Sequence, residues 1–198
     1  MKKIKNISIL SDSFIPSKIS AAGMILNLGD DLKNKNYHVT FIYGGYNPNS
    51  NQDKTLFENY SLKGFNFISS KFLISIRSKG NIQRFIYEII LSLMLSLKIL
   101  INSKKLKKTD LVIWYGPSAF LWLPCWLLKL LSSSPVYYIL RDIFPDWLID
   151  LGLIKNKLLL SFLKLISYPQ YLIPDTIGVE SDFNLNFLKE KRKLCNIE

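Results

Sequence analysis

The stretch YYILRDIFPDWLIDLG, residues 137–152, decides the fold of this chain. It opens as a run of aromatic, β-branched and apolar residues after Pro135, which is typical of a buried strand. Two adjacent charges, Arg141 and Asp142, end the run, and Pro145 then stops the strand and suits the first turn of a helix. In an open parallel sheet, groups just past the carboxyl end of a strand face the ligand crevice. We therefore expect Arg141 and Asp142 to line a crevice.

The rest of the chain alternates between strand-like and helix-like segments. Strands are predicted at 4–10, 37–43, 65–68, 72–76, 110–115, 136–140 and 175–181, and a polar surface loop is predicted at 47–54. Helices are predicted at 20–33, 81–102, 119–131, 158–172 and 182–192, with breaks at Pro124 and Pro169. Strand, loop, helix and parallel strand form βαβ units. The pattern predicts an α/β fold with a doubly wound, mostly parallel, Rossmann-like sheet, in one domain over residues 1–198.

Small residues mark two further loops at the same edge of the predicted sheet. Ser20, a plausible N-cap, begins the first helix, and Ala22-Gly23 follow in its first turn. Small residues at a helix N-terminus let a phosphate or sugar approach backbone N–H groups; they also suit a tight strand-to-helix turn without a ligand. The residues Tyr115, Gly116 and Ser118 follow another strand and could form the crevice wall, with Ser118 also placed to cap the next helix.

Residues 141–154, RDIFPDWLIDLGLI, resemble the R-D-x-[FW]-P-[ED] segment of bacterial glycosyltransferases of family 4, the retaining GT-B enzymes. Among these they are most similar to the L-fucosamine transferases of O-antigen and other surface-polysaccharide loci. The opening of the chain resembles the entry of the family too, although Tyr37 replaces the glycine that precedes the family's histidine. The last predicted strand ends in a serine as in the family, but Gly178 and Glu180 depart from its usual apolar pattern.

This resemblance implies a function and a set of partners. The implied reaction transfers a sugar from a nucleotide-sugar donor, such as a UDP-sugar, to a polyprenyl-diphosphate-linked acceptor at the inner face of the cytoplasmic membrane. The resemblance covers the whole chain but only about half of a family member, since a second domain with an E-x7-E pattern would follow Glu198. We therefore expect an acceptor-side GT-B domain that is inactive alone and completed by a C-terminal domain, which lies on a separate subunit if the enzyme is split.

Roles for individual residues follow from the chemistry of that transfer. Arg141 could contact phosphate, Asp142 could orient an acceptor hydroxyl or the sugar ring, and the backbone N–H groups of Ala22 and Gly23 could meet a phosphate. The alternative for the two charges is an ion pair with each other or with the turn at 146–150. Neither a cofactor nor a metal is expected, because the chain has no P-loop or Gly-rich dinucleotide fingerprint and its two cysteines lie outside any metal-binding spacing.

Charge and apolar patterning limit where in the cell the protein is expected. The formal net charge is +11, which fits either nucleic acid or an anionic membrane. Aromatic residues lie inside apolar runs and no nucleic-acid-binding motif is found, so the sequence favours the membrane and no nucleic acid. With only two cysteines and no signal peptide, we expect a cytoplasmic protein, peripheral to the inner face of the cytoplasmic membrane.

The predicted helix at 81–102 is apolar almost all round, apart from a polar stripe at Arg84, Glu88, Ser92 and Ser96. One interpretation is a helix sandwiched between the sheet and a neighbouring helix. The other is a helix lying partly in a membrane interface next to the lysines of residues 104–108. The two interpretations of the helix are compatible. They leave open a competing function for the protein, a non-catalytic membrane-surface adaptor or an inactive remnant with a Rossmann-like fold.

His38, the lone histidine, begins a strand and is interpreted as structural.

Overall fold

One all-parallel sheet organises the chain. The computed structural model describes residues 3–12, 14, 20–44, 58, 63–70, 81–116, 118–154, 156–192 and 196–198. Its strands are β1 (Asn6–Ser11), β2 (His38–Gly44), β3 (Asn66–Ser70), β4 (Leu111–Gly116), β5 (Val136–Leu140) and β6 (Thr176–Val179). They lie in the order β3-β2-β1-β4-β5-β6 and every neighbouring pair is parallel. The predicted Rossmann-like fold is confirmed.

Helices cover both faces of this sheet. They are α1 (Ser20–Asn34), α2 (Asn81–Ile101), α3 (Ser103–Leu106), α4 (Trp122–Ser132), α5 (Asp146–Asp150), α6 (Lys157–Ser167), α7 (Pro169–Leu172) and α8 (Asp182–Arg192), with a 3-10 turn at Ala119–Leu121 before α4. The predicted strand at 72–76 and the predicted loop at 47–54 lie outside the described residues.

The core lies in two layers because successive strand residues point to opposite faces. In β1, Ile7 and Ile9 pack on the side of α1, whereas Leu10 packs on the side of α2 and α4. The α2 side also contains Trp114 and Tyr138, whose rings stack with their centroids 4.0 Å apart. Burial on both faces explains why β4 reads as a continuous apolar run.

The strand order reverses between β1 and β4. Chain order leads outward from β1 to β2 and β3 on one side, and from β4 to β5 and β6 on the other. In doubly wound sheets, ligands bind at such a switch point, outside the carboxyl ends of the strands. The edge formed by the ends of β1, β4, β5 and β6 is therefore where a site is expected, and His38, which begins β2, lies at the opposite edge.

Two serines of the polar stripe of the long helix turn inward, so the packed interpretation of α2 holds for that part of the face. Ser92 and Ser96 are buried; Ser92 donates a hydrogen bond to the carbonyl of Phe120, and Ser96 donates to the carbonyl of Ser92. The outward face of α2 is instead apolar, and its exposed residues are Ile86, Leu93, Leu97, Leu100 and Ile101. No helix in the described part of the chain is both long and apolar enough to span a bilayer.

Prolines set several helix boundaries. A 3-10 turn precedes α4, so Pro124 stands in the first turn of a restarted helix, where it breaks no hydrogen bond. The predicted helix at 158–172 is divided at Pro169 into α6 and α7. Pro145 precedes α5 as its N-cap residue, after a cis peptide bond with Phe144.

The last helix follows its prediction to the residue. The side-chain oxygen of Ser181 accepts a hydrogen bond from the backbone N–H of Asn184, which confirms Ser181 as the cap of α8. After α8, Ile197 pairs with Ile177 of β6 in parallel. Residues 196–198 thus lie alongside β6, the last strand on that side of the sheet.

Candidate functional site

Arg141 joins four elements at the carboxyl edge of the sheet. Its Nε atom lies 3.0 Å from Oε1 of Glu180, the first residue after β6. Its Nη1 atom lies 3.4 Å from the hydroxyl of Tyr115 in β4 and 3.9 Å from the sulfur of Met24 in α1. The side chain therefore reaches back from the end of β5 to the switch point. Because Tyr115 precedes Gly116 and Met24 follows Gly23, Arg141 points toward the rim that the sequence analysis predicted.

The observed partner of Arg141 was not among the predicted ones. The sequence analysis offered Asp142 or the turn at 146–150 as the acid for an ion pair, whereas the structure pairs the guanidinium with Glu180. The physical reason is the sheet: β5 and β6 are parallel neighbours in register from Tyr137 to Leu140, so the residues just beyond their ends are brought side by side. Backbone pairing, not sequence proximity, selects the acid.

Tyr115 forms the floor beneath the guanidinium. Its side chain is 4% exposed, and its hydroxyl lies 3.3 Å from the sulfur of Met24. Burial raises the pKa of the Tyr115 phenol, and this outweighs the lowering effect of Arg141 nearby. The phenol therefore stays neutral at physiological pH, and the positive charge of Arg141 is not cancelled from below.

Asp142 is exposed at the same strand end, on a loop that is held from behind. The carbonyl oxygen of Phe144 accepts hydrogen bonds from Nε2 of Gln170, at 3.2 Å, and from the hydroxyl of Tyr171, at 3.3 Å. Both donors are buried side chains of α7. This anchoring fixes the backbone two residues after Asp142 and leaves its carboxylate accessible.

The first turn of α1 borders the same edge but presents its residues differently. Ser20 is the first residue of the helix, not the residue before it, and it is exposed. Ala22 is fully buried. Gly23 is exposed, and a Cβ there would meet nothing within 4 Å. Packing therefore does not explain a glycine at position 23, and the backbone is open to solvent at this point.

Gly116 and Ser118 have packing partners of their own. A Cβ on Gly116 would lie 2.9 Å from ring atoms of Tyr138, so this glycine makes room for a buried aromatic ring. The Ser118 side chain does not cap the turn that follows it, so the capping prediction is wrong. Its hydroxyl instead donates to Oε2 of Glu88 on α2, at 3.1 Å, since Ser118 is buried against that helix.

Two residues at this edge were missed by the sequence analysis. Glu180 was noted only as a departure from an apolar strand, although a charge at a strand end is the signal that identified Arg141. Asp12, directly after β1 at the switch point, is 2% exposed and lies 3.5 Å from the hydroxyl of Ser11. A carboxyl group between two serines at the end of the first predicted strand was a readable signal for it. Among the described residues, no group of three His, Cys, Asp or Glu side chains could hold a metal ion.

The arrangement is the carboxyl edge of a Rossmann-like sheet, with a cation at the switch point and an exposed carboxylate beside it. No protein-family model matches the chain, and no curated protein does. Solved structures do. UGT2 of Phytolacca americana, in complex with UDP-2-fluoro-glucose and pterostilbene, is similar with a TM-score of 0.59 and 10% sequence identity, over 100% of this chain and 54% of that one.

Two further solved structures are similar in fold. The lipopolysaccharide outer core galactosyltransferase WaaB in its apo form has a TM-score of 0.51 and 14% identity, over 98% of this chain and 44% of that chain. A glycosyltransferase of kitacinnamycin has a TM-score of 0.54 and 11% identity, over 90% of this chain and 46% of that chain. The chain thus has the fold of one Rossmann-like domain of these enzymes and spans about half of their length.

Proposed function

We propose that residues 1–198 form the acceptor-side domain of a retaining glycosyltransferase of family 4, related to the amino-sugar transferases of surface-polysaccharide assembly. The proposed donor is a nucleotide sugar, in particular a UDP-sugar, and the proposed acceptor is a sugar linked to polyprenyl diphosphate. The observation that carries this proposal is the reach of Arg141 across the edge to Tyr115 and Met24, at the switch point where doubly wound sheets bind their ligands.

The proposed chemistry uses the groups at this edge. In the transfer, the bond between the anomeric carbon and the donor diphosphate breaks, and the acceptor hydroxyl oxygen bonds to that carbon while its proton passes to the departing diphosphate. Arg141 would contact a diphosphate, and a guanidinium does so through paired N–H donors. Asp142 would accept a hydrogen bond from the acceptor hydroxyl and orient it. The backbone N–H groups of Ala22 and Gly23, in the first turn of α1, would add to the binding of phosphate.

The similar structures support the proposed substrates. The UGT2 structure contains a UDP-sugar analogue, which supports a nucleotide-sugar donor. WaaB is a lipopolysaccharide outer core galactosyltransferase, which supports a role in surface-polysaccharide assembly. Because each of these chains is about twice as long as this one, the proposal includes a second domain, on this polypeptide or on a separate subunit. An open reading frame downstream that encodes an α/β domain with E-x7-E would support it.

The outer surface of α2 and α4 supports a location at the membrane. The two helices lie side by side on one face of the sheet, and α4 adds Trp126 and Leu130 to the exposed apolar residues of α2. Four exposed lysines stand where α2 leads into β4. One of them, Lys105, donates a hydrogen bond to Oδ1 of Asn66, and the other three are Lys104, Lys107 and Lys108. An apolar surface next to a cluster of positive charge is suited to an anionic bilayer surface. We propose that the protein is cytoplasmic and peripheral to the inner face of the cytoplasmic membrane.

A transfer assay tests the catalytic proposal. Membranes from cells that express the chain together with its C-terminal part are supplied with labelled UDP-sugars, and label in the lipid-linked fraction is measured. We expect Asp142→Asn and Arg141→Gln each to lower transfer by about 100-fold or more, the size seen for single groups that stabilise transition-state charge. Asp31→Asn, at an exposed position on α1, is the matched control and should leave transfer unchanged.

The exposed apolar surface also favours a second candidate, a non-catalytic adaptor at the membrane surface. An adaptor needs no charges in the crevice. Transfer that survives both Asp142→Asn and Arg141→Gln, with membrane binding intact, would favour the adaptor over the enzyme.

A further inference from the structure

In the described part of the chain, Glu180 is the acid that pairs with Arg141, the proposed phosphate contact, and the proposed function assigns it no task. It follows β6 directly, in the place where the family pattern is apolar. The pair is half-buried, with 27% of the Arg141 side chain and 43% of the Glu180 side chain exposed. A half-exposed pair between two long side chains contributes little stability by itself. The pair between Arg141 and Glu180 therefore indicates a role in the candidate site rather than in folding.

The geometry of the pair assigns the two edges of the guanidinium. An arginine offers one N–H at Nε and four at its terminal nitrogens, all in one plane. Glu180 engages the Nε edge at 3.0 Å, while Nη1 extends toward Tyr115 and Met24. The carboxylate thus lies on the β6 side, and the terminal nitrogen Nη1 lies on the side of the switch point. A diphosphate at the switch point would meet the donors of Nη1.

We propose that Glu180 is a positioning residue: it holds the Nε edge of Arg141 so that Nη1 is presented to a diphosphate at the switch point. This inference rests on the proposed function, and it adds a residue outside the R-D segment to the site. The ligand class is a diphosphate group, which either the donor nucleotide or the lipid-linked acceptor could supply.

Charge and position make opposite contributions, which gives the proposal a clear signature. The carboxylate of Glu180 repels a bound anion, so removal of its charge alone should tighten binding. Its hydrogen bond restrains the long side chain of Arg141 before a ligand binds. Without this restraint, binding must immobilise that side chain, which costs about 0.5–1.5 kcal/mol, or roughly two- to twelvefold in affinity. Glu180→Gln removes the charge and keeps an oxygen that can accept from Nε, whereas Glu180→Ala removes both.

The test measures diphosphate affinity by calorimetry with the full chain. Inorganic pyrophosphate is the first probe, followed by UDP for the donor and farnesyl diphosphate for the acceptor. We expect Glu180→Gln to bind pyrophosphate at least as tightly as the unaltered chain, and Glu180→Ala to bind it about two- to tenfold more weakly than Glu180→Gln. Thermal unfolding of each variant verifies that the fold is retained.

A double-mutant cycle with Arg141→Gln separates the inference from its foundation. If Glu180 acts through Arg141, the difference between Glu180→Ala and Glu180→Gln disappears in the Arg141→Gln background. The same comparison with UDP and with farnesyl diphosphate identifies the source of the diphosphate. Coupling seen with UDP indicates the donor, and coupling seen with farnesyl diphosphate indicates the acceptor. Equal affinities of Glu180→Ala and Glu180→Gln, with Arg141→Gln still weak, overturn the inference alone. Unchanged affinity in Arg141→Gln, or no pyrophosphate binding by the unaltered chain, overturns the phosphate role of Arg141 itself and the inference with it.

Discussion

Gly116 and Tyr138 share a space that holds only one side chain: a Cβ at position 116 would lie 2.9 Å from both Cε2 and the hydroxyl oxygen of Tyr138. The Tyr138 ring is also stacked on Trp114 and fully buried, so it cannot give way by moving outward. The glycine at the end of β4 is thus required by the packing of the β5 side chain next to it.

We predict that Gly116→Ala lowers the free energy of unfolding by about 1–3 kcal/mol, the usual cost of overpacking a filled core. Urea denaturation measures this. Gly23→Ala is the matched control, because a Cβ at position 23 meets nothing within 4 Å and alanine is the better helix former. Its stability should be unchanged or up to about 1 kcal/mol greater. Equal losses in the two variants would contradict the packing argument.

The stability of the protein should fall at high pH because of Tyr138. Burial, together with nearby negative charge, raises the pKa of its phenol well above the ordinary value of 10.0. The folded protein then keeps this proton at pH values where the unfolded chain loses it, so the contribution is complete below pH 10 and is lost as pH rises above it. Unfolding free energies at pH 8 and pH 11 should differ less in Tyr138→Phe than in the unaltered protein, and parallel curves would refute the assignment.

The loop that carries Asp142 should loosen when one of its anchors is removed. Tyr171→Phe deletes the hydroxyl that donates to the carbonyl of Phe144, and the loss of one such bond costs about 1 kcal/mol. We expect faster amide hydrogen exchange over residues 142–147, measured by mass spectrometry. Tyr168→Phe, at a position that is 45% exposed, is the control and should leave exchange in this loop unaltered.

Binding to anionic vesicles should depend on the outer surface of α2. Leu97 is 60% exposed there, and Leu97→Glu should weaken binding to phosphatidylglycerol-containing vesicles about tenfold, because about 1.5 kcal/mol of apolar transfer is lost. Ile4→Glu, at a position that is 39% exposed outside this helix layer, is the control. Sedimentation with vesicles measures both, and equal effects would assign the binding to net charge alone.

Neutral vesicles separate the two contributions to membrane binding. If lysines 104, 107 and 108 take part, added salt should weaken binding to anionic vesicles and leave the weaker binding to neutral vesicles nearly unchanged. Salt-independent binding to anionic vesicles would remove the lysines from the proposal.

The chain pattern determined the architecture and the edge that carries the site. Apolar runs of strand length, separated by helices with prolines and capping residues near their ends, led to a parallel Rossmann-like sheet, and the charges after β5 led to its carboxyl edge. These features are local, so each can be predicted from a few consecutive residues. Even the start of α8 follows from one capping serine, Ser181.

Contacts between distant segments were decided only by the tertiary structure. The pairing of Arg141 with Glu180, the bond from Ser92 to the carbonyl of Phe120 and the bond from Ser118 to Glu88 each join residues from 28 to 39 positions apart. Which strand neighbours which, and which helix face meets the sheet, is a matter of the whole packed core. The sequence alone predicted that charges stand at strand ends. The parallel register of β5 and β6 determined that Glu180 is the partner of Arg141.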